Sequence, residues 1–197
     1  MGEKRSTEQA FQNYVRSGEQ VRWHGVTKPF PLLERDAKFL ILGKWIGTGA
    51  VTAVLLRLYI GNSPDWSLKA VIAVLLVAAL LIVSPFVEKW NVLGQQYWIT
   101  DQRVILMSRD RTFYYMELSD IDDFRLVEDQ TEEGTLAVGS CVFGDIKRQL
   151  RWRACHPKIN VQSDGPAGKA MGLVFFSVSD SKKAADCLRQ QLGRAAA

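Results

Sequence analysis

From Ala70 to Val87 the chain runs 18 residues without a charged side chain, AVIAVLLVAALLIVSPFV. As a helix rising about 1.5 Å per residue, such a stretch is roughly 27 Å long and nearly spans the hydrocarbon core of a bilayer. A second apolar segment lies upstream, from Phe39 to Ile60, interrupted only by Lys44 and Arg57 near its two ends. Long basic side chains one turn from a helix end can carry their charge out to the headgroups along their own stems. Trp45, Tyr59, Trp66 and Trp90 fall where an aromatic belt belongs and are candidate membrane-interface anchors. Between the two segments, Gly61-Asn62-Ser63-Pro64-Asp65 has turn-forming composition, so spans over 39–60 and 68–87 are expected to form an antiparallel hairpin. Core helices of a soluble bundle rarely stay apolar on every face, which argues against that alternative. Gly43 and Gly47 are four apart, and Gly49 with Ala53 repeats the spacing. These are candidate positions for close helix packing, within the hairpin or with a partner helix.

Charge sets the expected orientation. Seven Lys or Arg precede the first span, the connecting loop has none, and fifteen follow the second. Both termini are therefore expected in the cytoplasm. About 38 largely polar residues come before the first apolar run, which does not match a cleaved signal peptide with its apolar region near the start. A net charge of +4 is too small and too dispersed to call for nucleic acid. Cys141, Cys155 and Cys187 are an odd, widely spaced set without a C-x-x-C pair, so neither a disulfide framework nor a zinc site is suggested.

The flanks read differently. At the N-terminus Ser6-Thr7-Glu8-Gln9 has capping-box form, Ala10, Phe11, Tyr14 and Val15 follow at helical spacing, and Gly18 can end the helix. Val21 to Leu33, with Pro29 and Pro31, reads as an extended lead-in to the membrane. After Trp90 the period changes to that of strands, expected near 95–100, 103–108, 112–118, 121–127, 135–142, 149–154 and 171–178. Ser179-Asp180 then signals a helix over 181–192 with Ala184, Ala185, Leu188 and Leu192 on one face. The expected class is α+β: residues 1–38 an N-terminal segment, 39–87 a transmembrane hairpin, and 91–197 a curled antiparallel sheet or barrel of about seven strands with a C-terminal amphipathic helix.

Tyr97-Trp98-Ile99-Thr100-Asp101-Gln102-Arg103-Val104, placed after two apolar spans, resembles the Tyr-x-Ile-Thr-x-x-Arg-Val run of bacterial membrane proteins with a pleckstrin-homology-like domain. Gly18-Glu19-Gln20-Val21-Arg22-Trp23, Glu117-Leu118-Ser119-Asp120-Ile121, Gly134-Thr135-Leu136 and Phe176-Ser177-Val178-Ser179-Asp180 resemble further segments of that family. The likeness covers about residues 18–192, excluding 144–169. It implies a pleckstrin-homology-like domain held at the cytoplasmic face of a bacterial inner membrane by a multi-pass anchor.

Three constellations could bear chemistry or contacts. In the Thr100-Asp101-Gln102-Arg103 turn, Arg103 and tight-turn amides could hold an anion, but side-chain turn bonds from Thr100 and Asp101 with Arg103 paired locally are the favoured reading. Asp120, Asp122, Asp123, Glu128, Asp129, Glu132 and Glu133 form an acidic stretch, read as a solvated face or a surface for a basic partner. Lys147, Arg148, Arg151, Arg153 and Lys158 gather the opposite sign, with Arg151 and Arg153 on one face of the expected strand and Trp152 on the other. They are candidate contacts to anionic headgroups or to an acidic partner, beside the plain reading of an exposed strand face. Cys155-His156 puts a thiol beside an imidazole, yet nucleophile and base normally meet across a fold. No Gly-rich phosphate loop, metalloprotease helix or nucleophile elbow is present in the sequence, so no catalytic, cofactor-binding or metal-binding residue is assigned and no cofactor is expected.

The expected function is a non-catalytic inner-membrane scaffold or accessory subunit, its partners other membrane proteins, a larger complex and membrane lipids, with homo-oligomers open. Two alternatives stand beside it: an assembly factor for a multisubunit photosynthetic or respiratory complex, and a sensor of anionic lipid.

Overall fold

The computed structural model describes residues 2–33, 35–62, 65–128, 134–145, 161–162 and 168–195. Two long apolar helices separate a short N-terminal helix and strand from seven further antiparallel strands and a C-terminal helix. Helix α2 spans Arg35–Asn62 and α3 spans Leu68–Leu93, roughly 42 and 39 Å at about 1.5 Å per residue. Both are long and apolar enough to cross a membrane. Large apolar side chains from Phe39 and Ile46 on α2 to Leu80 and Phe86 on α3 stand exposed over most of the stem.

The helices reach beyond the expected spans, and the physical reason is at their base. Ile41 is 1% exposed and Val92 0%, because both pack with Phe30 against Ala137, Val142, Val174 and Phe176 of the sheet domain. The segment from Glu88, beyond the end of the expected span at 87, is the last helical stretch of α3, and only Gly94 and Gln95 separate it from the first strand that follows. The base of the stem packs into the core of the domain.

Strand β1 (Val21–Val26) comes from the segment expected to be a lead-in. It pairs antiparallel with β2 (Gln96–Thr100), His24 opposite Trp98, with an irregularity between Val21 and Trp23. Strands β3 (Arg103–Met107) and β4 (Phe113–Glu117) complete a sheet in the order β1-β2-β3-β4. The second sheet has the order β5-β6-β8-β7, with β5 Phe124–Glu128, β6 Gly134–Val138, β7 Val161–Gln162 and β8 Gly172–Val178. In place of a single curled sheet there are two, and isolated bridges link Thr27, just after β1, to Val178 of β8 and Tyr115 of β4 to Lys169, ahead of β8.

Three apolar layers follow from strand alternation. Tyr97, Ile99, Val104 and Leu106 point inward to meet Leu136, Val138, Leu173 and Phe175 of the second sheet. Trp98, Ile105 and Met107 point the other way and are covered by α1 (Gly2–Tyr14), whose Phe11 stacks on Trp98 at 4.2 Å and whose Tyr14 stacks on Phe113. On β8, Leu173 and Phe175 enter the inner core while Val174 and Phe176 face the stem. Strands covered on both faces read as continuous apolar runs, which is the pattern of VILM and LVFF here.

Several boundaries differ from expectation. Helix α1 begins at Gly2, so Ser6 lies inside it and is not its cap; Glu3, Lys4 and Arg5 are good helix formers that extend it backward. The strand expected over 135–142 stops at Val138, because Gly139 adopts φ +93° and turns the chain into a 3-10 stretch over Ser140–Asp145. A Cβ at Gly139 would stand 2.6 Å from the Met171 carbonyl, so only glycine fits. Helix α4 (Ser181–Ala195) runs through Gly193, and Ala184, Ala185 and Leu188 are buried as expected, with Gln191 sharing that face. The expected strand over 149–154 lies outside the described residues.

Candidate functional site

Two polar constructions hold the N-terminal segment and the hairpin in place. The first is built on the β2–β3 turn. Arg103 is 3% exposed and Glu19 8%, and they form a bidentate pair, Nε donating to Oε1 at 2.9 Å and Nη2 to Oε2 at 3.0 Å. Nη2 also donates to the Tyr14 carbonyl at 3.0 Å, and the guanidinium lies over the Tyr14 and Tyr115 rings. Thr100 donates to Glu19 at 2.8 Å and accepts the amides of Gln102 and Arg103. Burial alone would raise the pKa of Glu19, but Arg103, the Arg16 amide and Thr100 together hold it below the ordinary carboxylate range. Asp101 closes the turn onto the same segment, accepting from the Gln20 amide at 2.9 Å, and Arg16 makes a second fork to Glu117.

This corrects the expectation for Arg103. Its partner is 84 positions away, and its donors are directed at the chain's own carboxylate rather than at an external anion. Tyr97, the first residue of the same run, is fully buried; its hydroxyl donates to Gln95 and lies within hydrogen-bond distance of Thr27 and the Phe176 amide. Each polar member of the Tyr-x-Ile-Thr-x-x-Arg-Val run thus ties β2–β3 to a segment distant in the sequence.

The second construction lies at the base of the stem. Pro85 sits inside α3 and has no N–H to give the helix ladder. Ser84 Oγ donates instead to the Leu81 carbonyl, and Trp45 Nε1 crosses from α2 to the Ile82 carbonyl at 3.0 Å. Lys44 Nζ donates to Ser84 Oγ at 2.6 Å, and Trp45 stacks on Phe86. The carbonyl that Pro85 leaves without a ladder donor is that of Leu81, which Ser84 satisfies within α3, while the Trp45 bond to the next carbonyl ties the two helices together.

The remaining candidate residues are distributed along the stem. Tyr59 accepts the Ser67 amide across the hairpin turn, Trp66 is exposed beside it, and Trp90 stands exposed at the other end. Trp45 is committed to the hairpin. Gly43, Gly47, Gly49 and Ala53 are all exposed, and nothing lies within 4 Å of a Cβ built on any of the three glycines. They do not provide close approach inside the hairpin; Gly47 lines an outer apolar groove of about 510 Å³ with Val51, Leu55, Val74 and Val77. Lys147, Arg148, Arg151, Arg153 and Lys158 lie outside the described residues, as do Cys155 and His156. Of the acidic stretch, Asp120 pairs with Lys169 at 3.0 Å and Asp122 accepts the amide and hydroxyl of Ser140. Burial raises the thiol pKa of Cys141 and of Cys187, which disfavours the nucleophilic thiolate at both.

No protein-family model, curated protein or solved structure matches this chain. The architecture alone defines its class: an α+β domain carried on a pair of long apolar helices.

Proposed function

We propose that the chain is a non-catalytic membrane scaffold or accessory subunit, which presents a pleckstrin-homology-like domain at the cytoplasmic face of a bacterial inner membrane. The single observation that carries this reading is the packing of Ile41 and Val92 into Ala137, Val174 and Phe176. A domain fused to its anchor by a continuous core presents a fixed face at a fixed height above a membrane, as a docking platform requires. A catalytic domain on a flexible tether has no need of that contact. The two-sheet domain closed by a helix, and the attachment of the Gly18–Trp23 segment through Glu19, support the family likeness.

Purification of the full chain from native membranes in a mild detergent tests the proposal. A scaffold or accessory subunit keeps defined membrane proteins at stoichiometric ratio. Partners present only in fractions that hold incomplete complexes would favour an assembly factor, and isolation of the chain alone would contradict both.

A further inference from the structure

The β3–β4 turn stands against the base of α3, at the level where the exposed apolar surface of the stem ends. Trp90 is 57% exposed there. The Arg109 guanidinium lies 3.2 Å from the centre of the Trp90 ring and donates through Nη1 to the Trp90 carbonyl at 3.0 Å. Its aliphatic stem is laid over Gly94, where a Cβ would come within 2.7 Å of it. Ring, carbonyl and glycine therefore fix the direction of a side chain that is ordinarily mobile.

The turn is arranged to leave the arginine charge unneutralised. Its only carboxylate, Asp110, is consumed inside the turn by Ser108, the Thr112 amide and the Thr112 hydroxyl. Among the described residues no carboxylate pairs with Arg109, with Arg111 or with Lys89, whose ammonium lies over the Phe30 ring 5.8 Å from its centre. Arg111 is exposed and takes a left-handed φ of 65°, which places it in the same tight turn as Arg109. After the bond to Trp90 the Arg109 fork keeps most of its five N–H donors. A planar cation held on an indole at the end of a long apolar helix, with a second cation two residues away, offers the charge and the forked donors that suit the phosphate of a lipid headgroup.

We propose that Arg109, seated on Trp90 and assisted by Arg111, binds the headgroup phosphate of an anionic phospholipid in the leaflet next to the domain. The site rests on the reading of α2 and α3 as membrane-spanning, and it fixes which side of the domain faces the bilayer. Contact at the stem base orients the domain independently of the basic strand expected over 149–154.

The test is native mass spectrometry of the full chain in detergent, titrated with phosphatidylglycerol, phosphatidylcholine or inorganic phosphate. The parent is expected to retain phosphatidylglycerol preferentially. The double variant Arg109→Gln, Arg111→Gln is expected to retain it at least about tenfold more weakly, the loss of charge-assisted hydrogen bonds. The equal charge change Lys182→Gln, Arg194→Gln on α4 should leave retention within about twofold, which separates a site from net charge. Arg111→Gln alone, which removes no contact within the described residues, keeps the test valid if Arg109 also supports the fold. Equal retention of both lipids by the parent, or no loss in the double variant and in Arg111→Gln, overturns the proposal. So does displacement of the lipid by an equal concentration of inorganic phosphate. Carbonate extraction of the parent separates two failures: a resistant chain without lipid preference refutes the headgroup site alone, and an extracted chain refutes the membrane reading and the site together.

Discussion

Substituting Glu19 by Ala removes both acceptors of the Arg103 fork and leaves a guanidinium that is 3% exposed. Breaking a buried pair by deleting one member costs about 3–5 kcal/mol, because the other charge stays desolvated without its partner. Arg103 keeps the Tyr14 carbonyl at 3.0 Å and its two aromatic neighbours, so the lower end, about 3 kcal/mol, is expected. For a chain of this size that lowers the melting temperature by roughly 10 °C, at about 2–4 °C per kcal/mol. The double variant Glu19→Met, Arg103→Met removes both charges and fills the space with apolar atoms, which is often close to neutral. It is expected to melt above Glu19→Ala. The assay is tryptophan fluorescence melting of the full chain in detergent, where Trp98 under α1 and Trp23 beside the core report on the domain. Limited proteolysis between residues 14 and 21 would show release of the N-terminal segment in the single variant. If Glu19→Ala melts within about 3 °C of the parent, or the double variant loses the sum of the two single effects, the clamp does not hold the segment as argued.

Acid should act through the same carboxylate. Because its folded pKa is depressed, Glu19 contributes stability that is complete above about pH 4.3, the unfolded value, and is lost as pH falls through the folded value; Glu19→Gln should flatten the acid limb of melting temperature against pH. Leu188 is fully buried against the sheets, so Leu188→Asp places an uncompensated carboxylate in the core and is expected to cost several kcal/mol, enough to unfold a marginal domain, as near-ultraviolet circular dichroism would show. Trp45→Phe keeps the stacking on Phe86 but removes the cross-helix bond to the Ile82 carbonyl; a loss of about 1 kcal/mol in hairpin stability, read as lower resistance to denaturing detergent, is expected.

What the sequence made legible was what is encoded locally. The uncharged run from Ala70 places one helix long and apolar enough to cross a membrane, and the spacing of Ala184, Ala185 and Leu188 places the buried face of α4. Strands β2, β3 and β8 announce themselves as short aromatic and β-branched runs between polar turns. Long-range partners are different in kind, since no local pattern marks them. Val21–Val26 contains two charge-bearing or polar side chains and a glycine and looks like an extended tail; pairing with β2, about 75 positions away, makes it a strand. Arg103 offered a turn cation, and only the fold brings Glu19 to it. The end of α3 was hidden because apolarity fades at Glu88 while the helix continues to Leu93, stabilised by Val92 against the second sheet rather than by lipid. Ser84-Pro85 was a local signal of the Ser84 bond to Leu81, since a proline inside a helix releases the carbonyl four residues back, whereas nothing local marked the Trp45 bond to Ile82.

Helices α2 and α3 are proposed to cross a membrane, with the hairpin turn on one side and the sheet domain on the other. Introducing Asp65→Cys at the exposed turn and treating intact cells with a membrane-impermeant maleimide tests it directly, because the exposed native Cys141 reports on the domain in the same sample. Labelling at position 65 is expected in intact cells, and labelling of Cys141 only after lysis. Labelling of Cys141 in intact cells, or an Asp65→Cys chain that becomes reactive only together with Cys141, would contradict it.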